Sequence, residues 1–153
     1  MTKPLATLII ALLFVPSFAL AEPLEVFMVG DAVKISALFP KKEGAPLYTF
    51  SPAEKGKLVV PKITARKTTP IIPREKRAPS SKTNDIVKLG VIISESGRVI
   101  ESVVASSTDS AFNAAAIAGV QGWEFTPALL EGKPVAFFIE IPLNFIIPKF
   151  TWH

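Results

Sequence analysis

The 153-residue chain has no cysteine and a single histidine, His153, at its last position. The missing thiols exclude a disulfide scaffold, a Cys-ligated zinc site and a cysteine nucleophile. The lone terminal histidine argues against a buried Ser-His-Asp triad or a His-rich metal site. No two carboxylates stand out as an acid/base couple, and no Gly-rich phosphate loop is present. We therefore expect no enzyme, no metal and no cofactor. Charged residues make up only 20% of the chain, and apolar residues 49%, too many for a disordered polymer. The length suits one domain with an extension.

What charge there is falls unevenly. Residues 22–54 carry three basic and five acidic groups, residues 55–88 ten basic and two acidic, and residues 89–153 three basic and six acidic. Ahead of them Lys3 is followed by an apolar run over residues 5–15, then Pro16, then Ala19-Leu20-Ala21 before Glu22. This layout predicts a cleaved secretory signal peptide over residues 1–21. The alternative is an uncleaved signal anchor, because residues 4–21 are uncharged and reach the lower limit for a membrane span. Membrane contact is expected only in that second case.

Along the rest, Val33, Ile35, Ala37 and Phe39 alternate and predict a strand. Residues 40–79 hold seven of the fourteen prolines. They predict extended chain with one edge strand around Leu58-Val59-Val60. Residues 22–60 are an extension that either adds a strand to a sheet or forms a small separate cap. Residues 61–85 form a basic, Pro-rich extended linker, read as a solvated spacer because like charges and proline keep a chain open. Nucleic acid is not an expected partner, since no stacking aromatics interleave with these cations.

From Ile86 the pattern changes. Val87, Leu89, Val91 and Ile93 alternate, residues 94–97 form a turn ending in Gly97, and residues 99–106 are a second β-prone run. Thr108, Asp109 and Ser110 are candidate helix caps. Phe112, Ala115, Ala116, Gly119, Val120 and Trp123 then share one face of a helix over residues 111–121. After Pro127 and a Gly132-Lys133-Pro134 turn, a last strand is expected over residues 135–143. The fold class is α+β: a small β-β-α-β domain, with an antiparallel sheet and one covering helix, over residues 86–148. Phe112, Ala116, Val120, Trp123, Phe125 and Pro127 are the predicted structural core. Glu140 is expected to face water.

Several of these residues together carry a family signature. Ser96-Gly97-Arg98-Val99, Ser106-Ser107, the Phe112-led Ala-rich helix, Trp123-x-Phe125-x-Pro127, Gly132-Lys133-Pro134-Val135 and Ile141-Pro142 with Phe145 occur in order. This segment resembles the C-terminal domain of the TonB energy-transducer family. Upstream, Pro70, Ile72 and Pro73 resemble the P-x-Y-P motif that leads into that domain, with Ile72 in the place of the tyrosine. The resemblance implies a location in the Gram-negative periplasm, or anchorage in the inner membrane facing it if the N-terminal segment stays. It implies a partner, the TonB-box segment of an outer-membrane receptor, added as a strand to an open sheet edge. The setting is energy-dependent uptake of siderophore or vitamin type. The recruiting edge it implies is Val135, Ala136, Phe137, Phe138, Ile139, Glu140 and Ile141. Self-association or scaffold pairing through the same edge is the competing reading.

Overall fold

Strict alternation of apolar residues is the strongest local signal in the chain, and the fold is built on it. A computed structural model describes residues 22–41, 43–44, 46–76 and 83–147. The predicted signal segment lies outside the described residues. No described helix is long and apolar enough to cross a membrane.

The elements in chain order are β1 (Leu24–Met28), α1 (Ala32–Leu38), β2 (Tyr48–Pro52), β3 (Leu58–Val59), β4 (Ile63–Arg66), β5 (Thr83–Ile93), β6 (Val99–Ser107), α2 (Asn113–Val120), β7 (Trp123–Phe125), β8 (Ala128–Leu130), β9 (Lys133–Val135) and β10 (Phe137–Ile147). The protein is α+β, as its patterning predicts. The main sheet has the order β2-β1-β10-β5-β6. The expected hairpin is β5 and β6, antiparallel, with the turn at Gly97 in a positive-φ conformation (81°) that glycine adopts freely.

Because side chains alternate across a strand, the sheet buries two faces separately. Val87, Leu89, Val91 and Ile93 of β5 and Ile141, Leu143 and Phe145 of β10 point to α2. There they meet Phe112, Ala116 and Val120, all three fully buried. Ile92 and Phe138 point the other way, to a second cluster with Val26, Met28, Ile35 and Phe39. Residues 22–52 thus add two parallel strands to the sheet and lay α1 over its second face.

Three local expectations are corrected. Residues 33–39 are not a strand. Asp31 Oδ1 accepts hydrogen bonds from the Val33 and Lys34 amides at 2.9 and 3.3 Å, capping α1. The useful apolar set there is Ile35, Leu38 and Phe39 at helical spacing, while Val33 is 77% exposed. Trp123 is not on the helix, which ends at Val120. It opens β7, where Trp123 and Phe125 are both buried and Glu124 between them is half-buried, the period of a strand rather than of a helix. The basic segment after Pro61 is not free chain throughout: β4 pairs antiparallel with β7. Ahead of it, β3 is the strand expected around Leu58-Val59-Val60, and it pairs with β8.

The outermost strands also meet. The Tyr48 hydroxyl on β2 donates to Glu101 Oε2 on β6 at 2.8 Å. In a flat sheet strands four places apart would stand about 19 Å from each other, so this bond requires a strongly curled sheet. Partial burial, and then the Glu101 carboxylate, push the Tyr48 hydroxyl above its ordinary value of 10.0. Such a group contributes stability that is complete below pH 10.0 and is lost as pH rises through the folded-state value. Tyr48 is the chain's one tyrosine, so the ultraviolet tyrosinate band reports it alone. We expect that band to be absent from the folded protein just above pH 10 and to appear on adding denaturant. A normal titration in the folded state would exclude the latch.

Candidate functional site

β10 has unequal company on its two sides. Against β5 it is paired along its whole length, from Phe137↔Ile93 to Ile147↔Thr83. On its other side β1 runs parallel and meets it at one position only, Phe27↔Phe137, with the Phe27 amide donating to the Ala136 carbonyl at 2.9 Å. Beyond that point no other strand lies beside β10 among the described residues.

The direction of each backbone group follows from this register. Peptide groups alternate between the two edges of a strand. Ala136 points its carbonyl to the β1 side, so residues of the same parity point that way too. The proline in the strand agrees: Pro142 has no N–H to give, and at this parity its absence leaves the β5 ladder intact. The rim therefore presents the N–H groups of Glu140, Asn144 and Ile146, and the carbonyls of these residues and of Pro142. Their side chains are exposed, Ile146 at 64%.

Alongside this rim runs a groove of about 530 Å³, with β10 residues 141–146 on one wall and Ile63, Arg66, Pro70, Ile72 and Trp123 on the other. The Arg66 guanidinium lies 4.8 Å from the Trp123 ring centroid, a cation–π distance. Residues 67–76 form the outer wall as a strap. The Thr68 hydroxyl donates to the Gly119 carbonyl at 2.8 Å, and its oxygen accepts from the Gly122 amide at 3.1 Å. The Trp123 indole N–H donates to the Thr68 carbonyl at 2.9 Å. Pro70 rests on Gly119, where a Cβ would stand 2.4 Å from the proline Cγ. Only glycine allows so close an approach.

Ion pairs mark both ends of the strap. Lys67 meets Glu124 at 2.6 Å and Lys76 meets Asp109. Hydrogen bonds from these lysines hold the Glu124 and Asp109 carboxyls below their usual range and raise Lys76. Lys67 is well exposed and its pair screened by solvent, whereas the Lys76–Asp109 pair is part-buried and holds the strap together with Thr68 and Pro70.

The predicted recruiting residues are divided by the structure. Val135 lies in β9, paired with Ala128 of β8. Ala136 and Phe137 already have β1 beside them. Phe138 is buried in the second cluster, Ile139 packs against the main core, and Ile141 is buried within it. Glu140 is exposed, as expected. Of the leading motif, Pro70, Ile72 and Pro73 are half-buried, and Ile72 packs on the main core. The predicted core residues Phe112, Ala116, Val120, Trp123 and Phe125 do assemble there, with Pro127 half-buried after them. Pro142, Asn144 and Ile146 were outside the predicted edge. Their signal was present: Leu143, Phe145 and Ile147 continue the alternation past a proline that suggested a strand end. Among the described residues no three His, Cys, Asp or Glu side chains form a group that could hold a metal ion.

A comparison with curated proteins gives no match. A family model does match, over residues 76–147: the C-terminal domain of the Gram-negative bacterial TonB protein. The match starts at the last residue of the strap and takes in β5 to β10 with α2, whereas β1 to β4 lie ahead of it. The family is linked to energy transduction for outer-membrane transport, interacts with outer-membrane receptors and belongs on the periplasmic side. Residues 76–147 of this chain are thus similar to the C-terminal domain of the TonB family.

Proposed function

We propose that this protein is a non-catalytic periplasmic module, exported by a cleaved signal peptide, that captures an extended receptor segment of TonB-box type. The segment adds to the sheet as a strand beside residues 140–147. The observation that carries this reading is the one-sided pairing of β10 beyond Phe137. Spare backbone donors and acceptors in line are the requirement for strand addition, which tolerates varied ligand sequence because main-chain bonds supply the affinity. The adjoining groove accepts side chains from one face of the added strand. A few such bonds, each contributing about 1 kcal/mol net, work against the cost of ordering a flexible segment. Affinity on the order of micromolar follows.

Calorimetric titration with TonB-box peptides tests this. Micromolar binding is expected, lost when alternate peptide amides are N-methylated and retained when the other set is methylated. Equal sensitivity of both sets, or no binding, refutes strand addition. A tight dimer in sedimentation without peptide affinity would favour pairing of the same rim with a second copy.

A further inference from the structure

The upstream extension, outside the family match, shares an edge with the proposed ligand. β1 and a recruited strand would both lie beside β10, on the same side and end to end. From this geometry we infer that β1 is a built-in stop that sets the register and length of the captured segment. The inference rests on strand addition as proposed above.

β1 is not easily displaced. It is paired with β2 along all five residues, and Val26 and Met28 are fully buried. Its chain then leaves the edge: Met28 gives its carbonyl to the Ala53 amide, and residues 29–31 turn into α1. A ligand strand therefore cannot slide upstream past Phe138. From that point to Ile147 the described length of β10 matches about eight extended residues, roughly 25 Å.

A hollow of about 400 Å³ opens where β1 stops. Val29, Ile35, Val60, Phe138 and Ile139 line it, with Asp31, Lys34 and Glu140 also on its walls. Val29 and Val60 are 44% and 49% exposed, although both are large apolar side chains. The hollow touches the start of the free rim, so it receives the side chain of the ligand residue that abuts β1. The lining calls for an aliphatic residue there. β1 itself, Leu-Glu-Val-Phe-Met, carries the alternation such a neighbour needs: Val26 and Met28 are buried, Glu25 is exposed and Phe27 half-buried.

The test uses the full exported chain and acetylated peptides of alternating valine and threonine, four to twelve residues long, with a lysine tail. Affinity is expected to rise with length to about eight residues and then level off. Exchanging the terminal valine for aspartate should cost about tenfold at one end of the peptide only. V29D/V60D should cost a similar factor for eight-residue peptides and nothing for four-residue ones. The protein has no cysteine of its own, so N144C reports register directly: disulfide trapping should select one cysteine position of the peptide. Trapping at several positions, or affinity still rising at twelve residues, overturns the stop and leaves strand addition standing. No binding by any peptide overturns both.

Discussion

Asn144→Pro is expected to lower affinity for a strand-adding peptide by about tenfold, with the melting temperature little changed. Leu143→Pro, one residue away, is expected to unfold the domain. The two positions differ in where the amide points. Asn144 has its N–H on the open rim and its side chain exposed, so proline removes a ligand donor and nothing from the β5 ladder, as Pro142 already does. One net hydrogen bond is worth about 1 kcal/mol, which with the ring's bulk at the contact approaches a factor of ten. Leu143 has its N–H toward β5 and its side chain in the main core. Proline there removes a ladder bond, leaves a buried carbonyl unpaired and deletes core volume, a loss on the order of 4 kcal/mol or more. That is a large fraction of the stability of a small domain. Calorimetry and thermal melting of the two variants check the pair. Equal loss of stability at both positions would mean that the assigned parity of β10 is wrong. Proline at Phe137 or Ile139 shares the parity of Leu143 and would report folding rather than binding.

Gly119→Ala is expected to release the strap and open the groove, although alanine is the better helix former by about 1 kcal/mol. The added Cβ would lie 2.4 Å from Pro70 Cγ and 2.8 Å from both its Cδ and its nitrogen. A ring and a backbone atom cannot yield by rotating about a side-chain bond, so the segment must lift, at an overpacking cost of about 1–3 kcal/mol. Lifting it breaks the Thr68 bonds to Gly119 and Gly122 and frees the Trp123 indole N–H. Trypsin should then cut faster at Lys62, Arg66, Lys67 and Arg74. Trp123 emission should shift to the red when read in a Trp152→Phe background, and peptide affinity should fall. Unchanged proteolysis with a raised melting temperature would show that helix propensity outweighs the contact.

Where one local rule acted alone, the structure could be read from the residues. Val87, Leu89, Val91 and Ile93 alternate because that face of the strand meets α2, and the burial of Ile92 in the second cluster leaves this set of odd positions intact. The helix from Asn113 to Val120, led by Phe112, was legible for the same reason, as was the core it makes. The pattern misled where two periods overlapped. Residues 33–39 satisfy both an alternating and a helical reading, and the Asp31 cap decided between them. Trp123 fits the helical offset from Phe112, but Gly122 and Thr68 turn the chain into β7 first. The basic prolines after Pro61 look like open linker in composition, since composition cannot register that Thr68 and Pro70 fit the small residues of one helix end.

The candidate site shows the same division. The chain by itself determined an alternating last strand, the helix that covers it and the family signature, because these depend on neighbours close in sequence. Which part of that strand stays open was decided only in three dimensions. β1 pairs with it from more than a hundred residues upstream, and no local pattern in residues 135–147 encodes a partner so distant. Fold class follows from periodicity, whereas the free edge follows from which distant strand arrives beside it and where that strand turns away.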